Sequence, residues 1–473
     1  MKKIAQLFSL IAIDLAAYYV SLYGAWYMRD ELLPIFYTPL TPNYTFGYYL
    51  GLWWLPAIFI FFIAYTNIYT GRIPFWDETK KLWHANTLSF MVLMVVVTLG
   101  KAHGLFSRAV ILSLWLVAFF VFPFFHLYGK KLLFYLGITK ERVLVLGAGK
   151  TGKLISQWLD RERHIGYEVL GYLDDNIERT GTYIDGRKVF GQVRHYTKFI
   201  KDLQINTIII AMPSLGPDKI SALAFEVQQK VKNTMIVPNL YGIALLNTEL
   251  LHLFYEEIFL LKVRNNLKSL YNRIIKKAFD LAVSIILLPF LLALMAVIGI
   301  IIKLSSPGPI IYKQERIGLG GRPFKCYKFR TMVQDSERIL NELLQSNRDI
   351  KDEWERYWKL SKDPRVTKIG MFLRKTSLDE LPQILNVLKG EMSLVGPRPY
   401  LLREMYAIEN DIEDITKVPP GITGLWQVSG RSSTTYEHRI RLDIWYMMNW
   451  SLWLDMFILL RTVKVVLFMK GVR

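Results

Sequence analysis

LAVSIILLPFLLALMAVIGIII, residues 281–302, is an uncharged apolar run with a proline at its centre. As a helix it would rise roughly 30 Å, enough to cross the hydrocarbon of a bilayer. Pro289 opposes a straight crossing, because it lacks an N–H and its ring crowds the preceding turn. The two outcomes, a span or a helix that enters one leaflet and returns, give different folds. The flanking sequence decides between them.

Upstream, apolar stretches at 4–27, 47–69, 85–100 and 107–128 predict a four-span bundle over 1–135, with the third stretch the shortest. Packing all four into a soluble core would demand a very large one. Lys2, Lys3, Arg72, Lys80, Lys81, Lys130, Lys131, Lys140 and Arg142 outnumber the cations Arg29, Lys101 and Arg108 of the opposite loops. That bias puts the N-terminus, the 70–83 loop and everything after residue 130 in the cytoplasm. No small-residue cleavage pattern follows the first stretch, so it reads as a retained span. A fifth crossing at 281–302 would carry the C-terminal region out of the cell, away from nucleotide-activated metabolites. We therefore expect a re-entrant helix over 278–303 that turns at Leu288-Pro289.

The formal net charge is +19, with 52% hydrophobic residues. In a lipid-embedded chain such charge suits anionic headgroups and phosphorylated substrates, and nucleic acid is not an expected partner. The single cysteine, Cys326, excludes an intrachain disulfide framework and a multi-cysteine metal site.

Residues 140–265 change character. The strand pattern ERVLVL at 141–146 leads into Gly147-Ala148-Gly149-Lys150-Thr151-Gly152, and further strand-like runs follow at 167–173, 207–212 and 234–238. This predicts a Rossmann-like α/β module, in which Gly147, Gly149 and Gly152 would face a pyrophosphate and Asp174 a ribose. Asp174 comes late for that contact, and no second half follows. Nucleotide binding and a structural or regulatory module both remain open.

From 268 to 473 the sequence is dense in Arg, Lys, Gly and Pro. Arg316, Arg322, Lys328 and Arg330 alternate with apolar or aromatic residues, a pattern suited to phosphate contact or to a basic belt against lipid. RKTSLDELPQ at 374–383 opens a helix; Ser377 and Glu380 have capping-box spacing, and a start nearer Asp379 would suit Pro382 better. Either way Asp379 and Glu380 stand near a helix N-terminus about 100° apart. A carboxylate there can attack phosphorus, and a divalent metal would neutralise the diphosphate that repels it. Arg374 precedes the pair. Arg398 is fixed between Pro397 and Pro399, which presents a cation with little backbone freedom to lose. The glycine-rich stretch 419–431 reads as a loop ending in Arg431. Residues 436–466, with interspersed tryptophans and arginines, read as interfacial helices, since Asp455 and Arg461 oppose a crossing.

Together SPGPIIYKQERIG, KFRTM, LRKTSLDELPQILNVLKGEMSLVGPRP and PGITGLWQVSGR resemble the polyprenyl-phosphate sugar-1-phosphate transferases, the bacterial sugar transferases of the monotopic phosphoglycosyl transferase superfamily. The resemblance covers about 268–473, and the four-span start with its α/β module resembles the long members that transfer galactose 1-phosphate. It implies that Asp379 is the nucleophile and associates with Mg²⁺, that Glu380 assists it, and that Pro289 breaks a re-entrant helix. It further implies transfer from UDP-galactose to undecaprenyl phosphate, with UMP released, at the start of O-antigen, capsule or exopolysaccharide synthesis. The enzyme would be an inner-membrane homodimer. UDP-glucose or a UDP-N-acetylhexosamine is the alternative donor. The alternative classes are an NAD-dependent sugar-nucleotide modifying enzyme and a non-catalytic regulator of polysaccharide export.

Overall fold

The computed structural model describes residues 2–36, 45–99, 107–239, 248–253, 258–263, 266–346, 350–352, 354, 360, 363–402, 404–405, 412–429 and 435–468. The chain forms two compact units, Met1–Tyr241 and Gly242–Arg473.

In the first unit, α1 (Lys2–Tyr27), α2 (Trp54–Tyr65), α3 (Phe75–Leu99) and α4 (Arg108–Tyr135) make the bundle. Ala17 and Ala25 are fully buried and let α1 lie close along α4, while Tyr18, Phe59 and Phe122 stack through the centre. The relative lengths of the second and third helices reverse the expectation. The 47–69 stretch is interrupted before Trp54, leaving a helix of 12 residues, roughly 18 Å and short of a bilayer core. The helix expected from residue 85 instead starts at Phe75 and is 25 residues long. Its first turns are polar; Asp77 and Lys80 are exposed, while Glu78 is buried because its charge is paired. His126 lies between Glu78 Oε1 (2.6 Å) and Asp14 Oδ1 (2.5 Å), and Lys130 binds Glu78. Charge in such a bundle survives only with partners of this kind.

The same unit carries a sheet ordered β3-β4-β2-β1-β5-β6, from β1 (Glu141–Leu146), β2 (Tyr167–Leu173), β3 (Tyr183–Ile184), β4 (Arg187–Gly191), β5 (Thr207–Ile210) and β6 (Asn233–Ile236). All its pairs are parallel except the β3–β4 hairpin. Helix α5 (Lys150–Arg161) follows β1, and α6 (Pro217–Gln228) joins β5 to β6. A Cβ on Gly152 would come within 2.0 Å of the Gly147 carbonyl, so α5 packs directly on the glycine turn. Asp174 accepts the Ala148 N–H at 2.7 Å and pairs with Arg179. One amide of that turn is thus satisfied from within.

The second unit opens with the antiparallel hairpin of β7 (Thr248–Leu253) and β8 (Ile258–Val263). Helix α7 (Leu270–Ser305) then runs 36 residues as one continuous helix with Pro289 inside it. The turn expected at Leu288-Pro289 is not formed. Proline removes one intrahelical hydrogen bond, a loss a long helix can carry when its neighbours continue. The remaining core is built on the hairpin β9 (Ile311–Ile317) and β10 (Pro323–Phe329), on α8 (Lys368–Thr376) and α9 (Ile384–Leu388), on the parallel pair β11 (Ser393–Val395) and β12 (Gly421–Thr423), and on α10 (Tyr436–Met448) and α11 (Leu452–Phe468). Residues 419–423, expected in a loop, therefore lie partly in a strand. A Cβ on Gly421 would come within 2.1 Å of the Gly396 nitrogen, and only glycines allow that approach.

Candidate active site

The acidic pair sits where α8 ends. Ser377 adopts a left-handed conformation (φ 58°) and caps α8; a 3-10 turn, Leu378–Gln383, then carries Asp379 and Glu380 into α9. The capping box expected from Ser377 and Glu380 is not made, since the Ser377 side chain caps nothing. Pro382 explains the tighter turn, because it has no N–H to donate to an α-helical ladder. Successive side chains on a 3-10 turn diverge by about 120°, so the two acids face different surroundings.

Glu380 receives Lys328 Nζ at 2.6 Å. Burial would raise the Glu380 pKa, but Lys328 first, with Arg398 and Arg316 behind it, holds the carboxyl below its ordinary value. Burial would lower the Lys328 ammonium, yet Glu380 and then Asp379 keep it above its usual range. Among the described residues Asp379 has no such partner. Burial and the charge of Glu380 push its carboxyl up to about 6, against the opposing pull of Lys328 and Arg374. One acid is a fixed anion and the other a carboxyl poised between its two forms.

Asn386, which sequence reasoning passed over, sets this geometry. Fully buried, its amide accepts the Tyr327 N–H (3.1 Å) and donates to the Lys325 carbonyl (2.8 Å) and to Glu391 (2.6 Å). It pairs with β10 as another strand would, holding Lys328 against the acidic turn.

The other predicted cations divide. Arg398 is half-exposed, its N–H held by Asp443 Oδ2 at 3.2 Å and its guanidinium 3.8 Å from Glu404. Arg374 donates to Thr331 Oγ1 at 2.9 Å and acts electrostatically on Asp379. Arg316 is buried and donates to the Pro399 carbonyl at 2.9 Å and to Gln314, so it props the Pro-Arg-Pro segment from behind. Arg330 is also buried, binding the Ser306 and Pro307 carbonyls at 2.7 Å each; the structure makes it a loop brace, where a phosphate contact was expected. Arg322 is exposed at the β9–β10 turn, six positions along β10 from Lys328 and so roughly 20 Å away. Arg431 lies outside the described residues.

Asp443 and Tyr400 were also missed as a support for this segment. The Tyr400 hydroxyl donates to Asp443 Oδ2 at 2.9 Å, and burial pushes the Asp443 carboxyl up to about 7 even though Tyr400 and the Arg398 amide pull it down. The signal was the helical spacing of Tyr436, Arg439 and Asp443 on one face of α10.

No group of three or more His, Cys, Asp or Glu that could hold a metal occurs among the described residues. Asp379 remains, a carboxylate that no cation pairs with among the described residues, of the kind Mg²⁺ takes when substrate phosphates and water complete its shell, while Glu380 is engaged by Lys328. The residues present therefore fit that ion.

Residues 271–469 match the bacterial sugar transferase family, and 67–238 match a CoA-binding domain. An undecaprenyl-phosphate galactose phosphotransferase of Salmonella typhimurium is 36% identical over 85% of this chain and 84% of its own length. The UDP-galactose-lipid carrier transferase of Erwinia amylovora shows the same identity and coverage. The UDP-glucose:undecaprenyl-phosphate glucose-1-phosphate transferase of Escherichia coli is 31% identical, covering 69% of this chain and 68% of its own.

Proposed function

The chain belongs to the bacterial sugar transferase family, and on that premise we propose that it transfers galactose 1-phosphate from UDP-galactose to undecaprenyl phosphate, releasing UMP. The observation that carries the reading is the asymmetric acid pair: a fixed Glu380 anion beside an Asp379 that has no ion-pair partner among the described residues, on a turn near Lys328, Arg374 and Arg398.

In the proposed chemistry an Asp379 oxygen bonds to the β-phosphorus of the donor. The bond from that phosphorus to the bridging oxygen breaks, and UMP leaves with the electron pair. A phosphate oxygen of the lipid then bonds to the same phosphorus, the acyl phosphate bond breaks and Asp379 is regenerated. Lys328 keeps Glu380 charged and in place, and the rigid Pro397-Arg398-Pro399 segment presents a cation to the diphosphate. Mg²⁺, held by Asp379 with Glu380 beside it, would supply charge neutralisation. UDP-glucose remains the alternative donor, since the Escherichia coli relative uses it by name.

Among the described residues, four helices are long and apolar enough to cross a membrane by length and composition: Ile4–Ile35, Phe75–Thr98, Arg108–Tyr135 and Leu270–Ser305. The last, which runs without a break, is proposed to lie in one leaflet against its own domain without crossing. Near its start Lys276 binds Asp455 at 2.7 Å, and near its end Ile298 and Ile302 pack with Phe329 and Leu373. Both ends thus rest on one domain, while Ile286 and Phe290 between them are exposed. The cytoplasmic placement in the inner membrane rests on the lysine and arginine bias. The homodimer is likewise a proposal, with Tyr183 exposed on the β3–β4 hairpin as a contact. The glycine turn of the α/β sheet is proposed to be structural or regulatory.

The test is UMP release by protein in nanodiscs given UDP-galactose, Mg²⁺ and undecaprenyl phosphate. Wild type should turn over only with the lipid, and Asp379→Ala should insert normally yet release nothing. Undiminished turnover by that variant would refute the covalent role, and release from UDP-glucose alone would move the donor assignment.

A further inference from the structure

Trp426 lies in the short helix after β12 and has two guanidiniums on its indole. The Arg398 Cζ is 5.9 Å from the ring centroid, and the Arg439 Cζ, from α10, is 4.9 Å from it. The indole N–H is buried and has no hydrogen-bond partner among the described residues. Like charges gathered on one ring repel, and the effect shows: burial, then Arg398, holds the Arg439 guanidinium below its usual value. Glu404, 3.8 Å from the Arg398 guanidinium, offsets part of that repulsion, yet the buried indole donor stays unsatisfied. A bound anion would offset the rest, because each guanidinium can donate to it.

The place is defined from the other side as well. Arg398 is held by Asp443 through its backbone, and it is among the cations that keep Glu380 ionised, so the platform borders the acidic turn. Tyr436, Arg439 and Asp443 share one face of α10, which turns a helix read from sequence as a membrane-surface element into a wall of the site.

We propose that Arg398 and Arg439, spaced by Trp426, form a two-arginine clamp for a substrate phosphate, with Arg439 the second binding arginine. This rests on the transferase reading. A phosphate reaching the clamp comes either from the nucleotide diphosphate or from the polyprenyl phosphate, and both share the chemistry it recognises. Arg439 serves binding, with the bond-making left to Asp379.

The experiment measures KM for UDP-galactose and for undecaprenyl phosphate in nanodiscs, alongside calorimetric binding of UDP and of uridine. Arg439→Ala should raise one of the two KM values by about tenfold or more while kcat changes less. A rise for UDP-galactose, with UDP affinity falling and uridine affinity unchanged, assigns the clamp to the nucleotide; a rise for the lipid alone assigns it to the lipid phosphate. Arg439→Lys keeps the charge but not the flat stack and should fall between, and Trp426→Phe, which keeps a ring, should be milder than Trp426→Ala. These gentler variants guard against misfolding. Unchanged values for both KM and for UDP binding in folded Arg439→Ala would overturn the clamp. Arg439-dependent UDP binding without any UMP release from wild type would instead sink the transferase reading and leave the clamp standing.

Discussion

Replacing Lys328 by methionine removes the cation that Glu380 faces at 2.6 Å and leaves two adjacent carboxylates to repel each other. The side chains are 21% and 28% exposed, so the pair lies between a solvent-screened bridge, worth about 0–1 kcal/mol, and a buried one, whose broken half costs about 3–5 kcal/mol. A charge-assisted hydrogen bond of roughly 1.5–3 kcal/mol sits in that interval. If the contact persists through phosphoryl transfer, kcat/KM for UDP-galactose should fall about 10- to 150-fold. Lys328 also opposes the burial and the Glu380 charge that raise Asp379, so its loss should push the Asp379 carboxyl above about 6 and move the acid limb of the rate profile to higher pH. The assay is UMP release in nanodiscs, with Lys328→Met, Glu380→Gln and the double variant compared. The double variant should be little worse than the poorer single, a coupling of about 2 kcal/mol. Loss under threefold in Lys328→Met, or additive losses in the double variant, would refute the idea that this pair organises the site.

Asp443 predicts a pH effect on stability. Its carboxyl is near 7 when folded against about 3.9 unfolded, so the native state holds the extra proton between those values. Its contribution is full below about 4 and is lost as pH rises through about 7; Asp443→Asn should flatten the denaturation midpoint between pH 5 and 8, and parallel curves for both proteins would contradict this. Arg330→Ala removes hydrogen bonds to Ser306 and Pro307, so it should lower Tm by several degrees while leaving both KM values within about twofold; a specific rise in either KM would restore Arg330 to substrate binding. Asn386→Leu strands the Tyr327 N–H, the Lys325 carbonyl and Glu391, at about 1–3 kcal/mol for each buried group, and should lower both stability and turnover; a neutral melting curve would count against it.

What the sequence made legible was chemistry carried by runs and motifs. The long apolar stretches, the parallel sheet after Glu141 and the Asp379-Glu380 turn all have local signatures. Helix ends were less legible, because Asp77 and Glu78 look like a loop until His126 and Lys130 arrive from α4 to pair with Glu78. Arginine roles were least legible. Arg316 and Arg330 read in sequence like Lys328, as cations alternating with apolar residues, and only the carbonyls of Pro399, Ser306 and Pro307 reveal them as braces. Asn386 and Asp443 carry no motif of their own, since their value lies in backbone groups more than forty residues away.

The long apolar helix and the segment proposed to bind phosphate meet in one buried cluster. Lys276 of α7 donates to the Val395 carbonyl at 3.0 Å and to Asp455 at 2.7 Å, and the single Tyr446 hydroxyl proton is within reach of the same carbonyl and the same carboxylate. Ser393 binds Asp280 one turn further along α7. Val395 stands two residues before Pro397-Arg398-Pro399, so the segment that presents Arg398 is anchored to the helix that meets lipid. Desolvating Lys276 is costly, and an apolar residue would pack there more cheaply unless position mattered. A lysine with two fixed acceptors specifies distance and direction as an aliphatic side chain cannot. The arrangement would suit the proposed transfer, in which the acceptor phosphate lies at the bilayer surface and the height of Arg398 above the lipid sets whether donor and acceptor both reach Asp379.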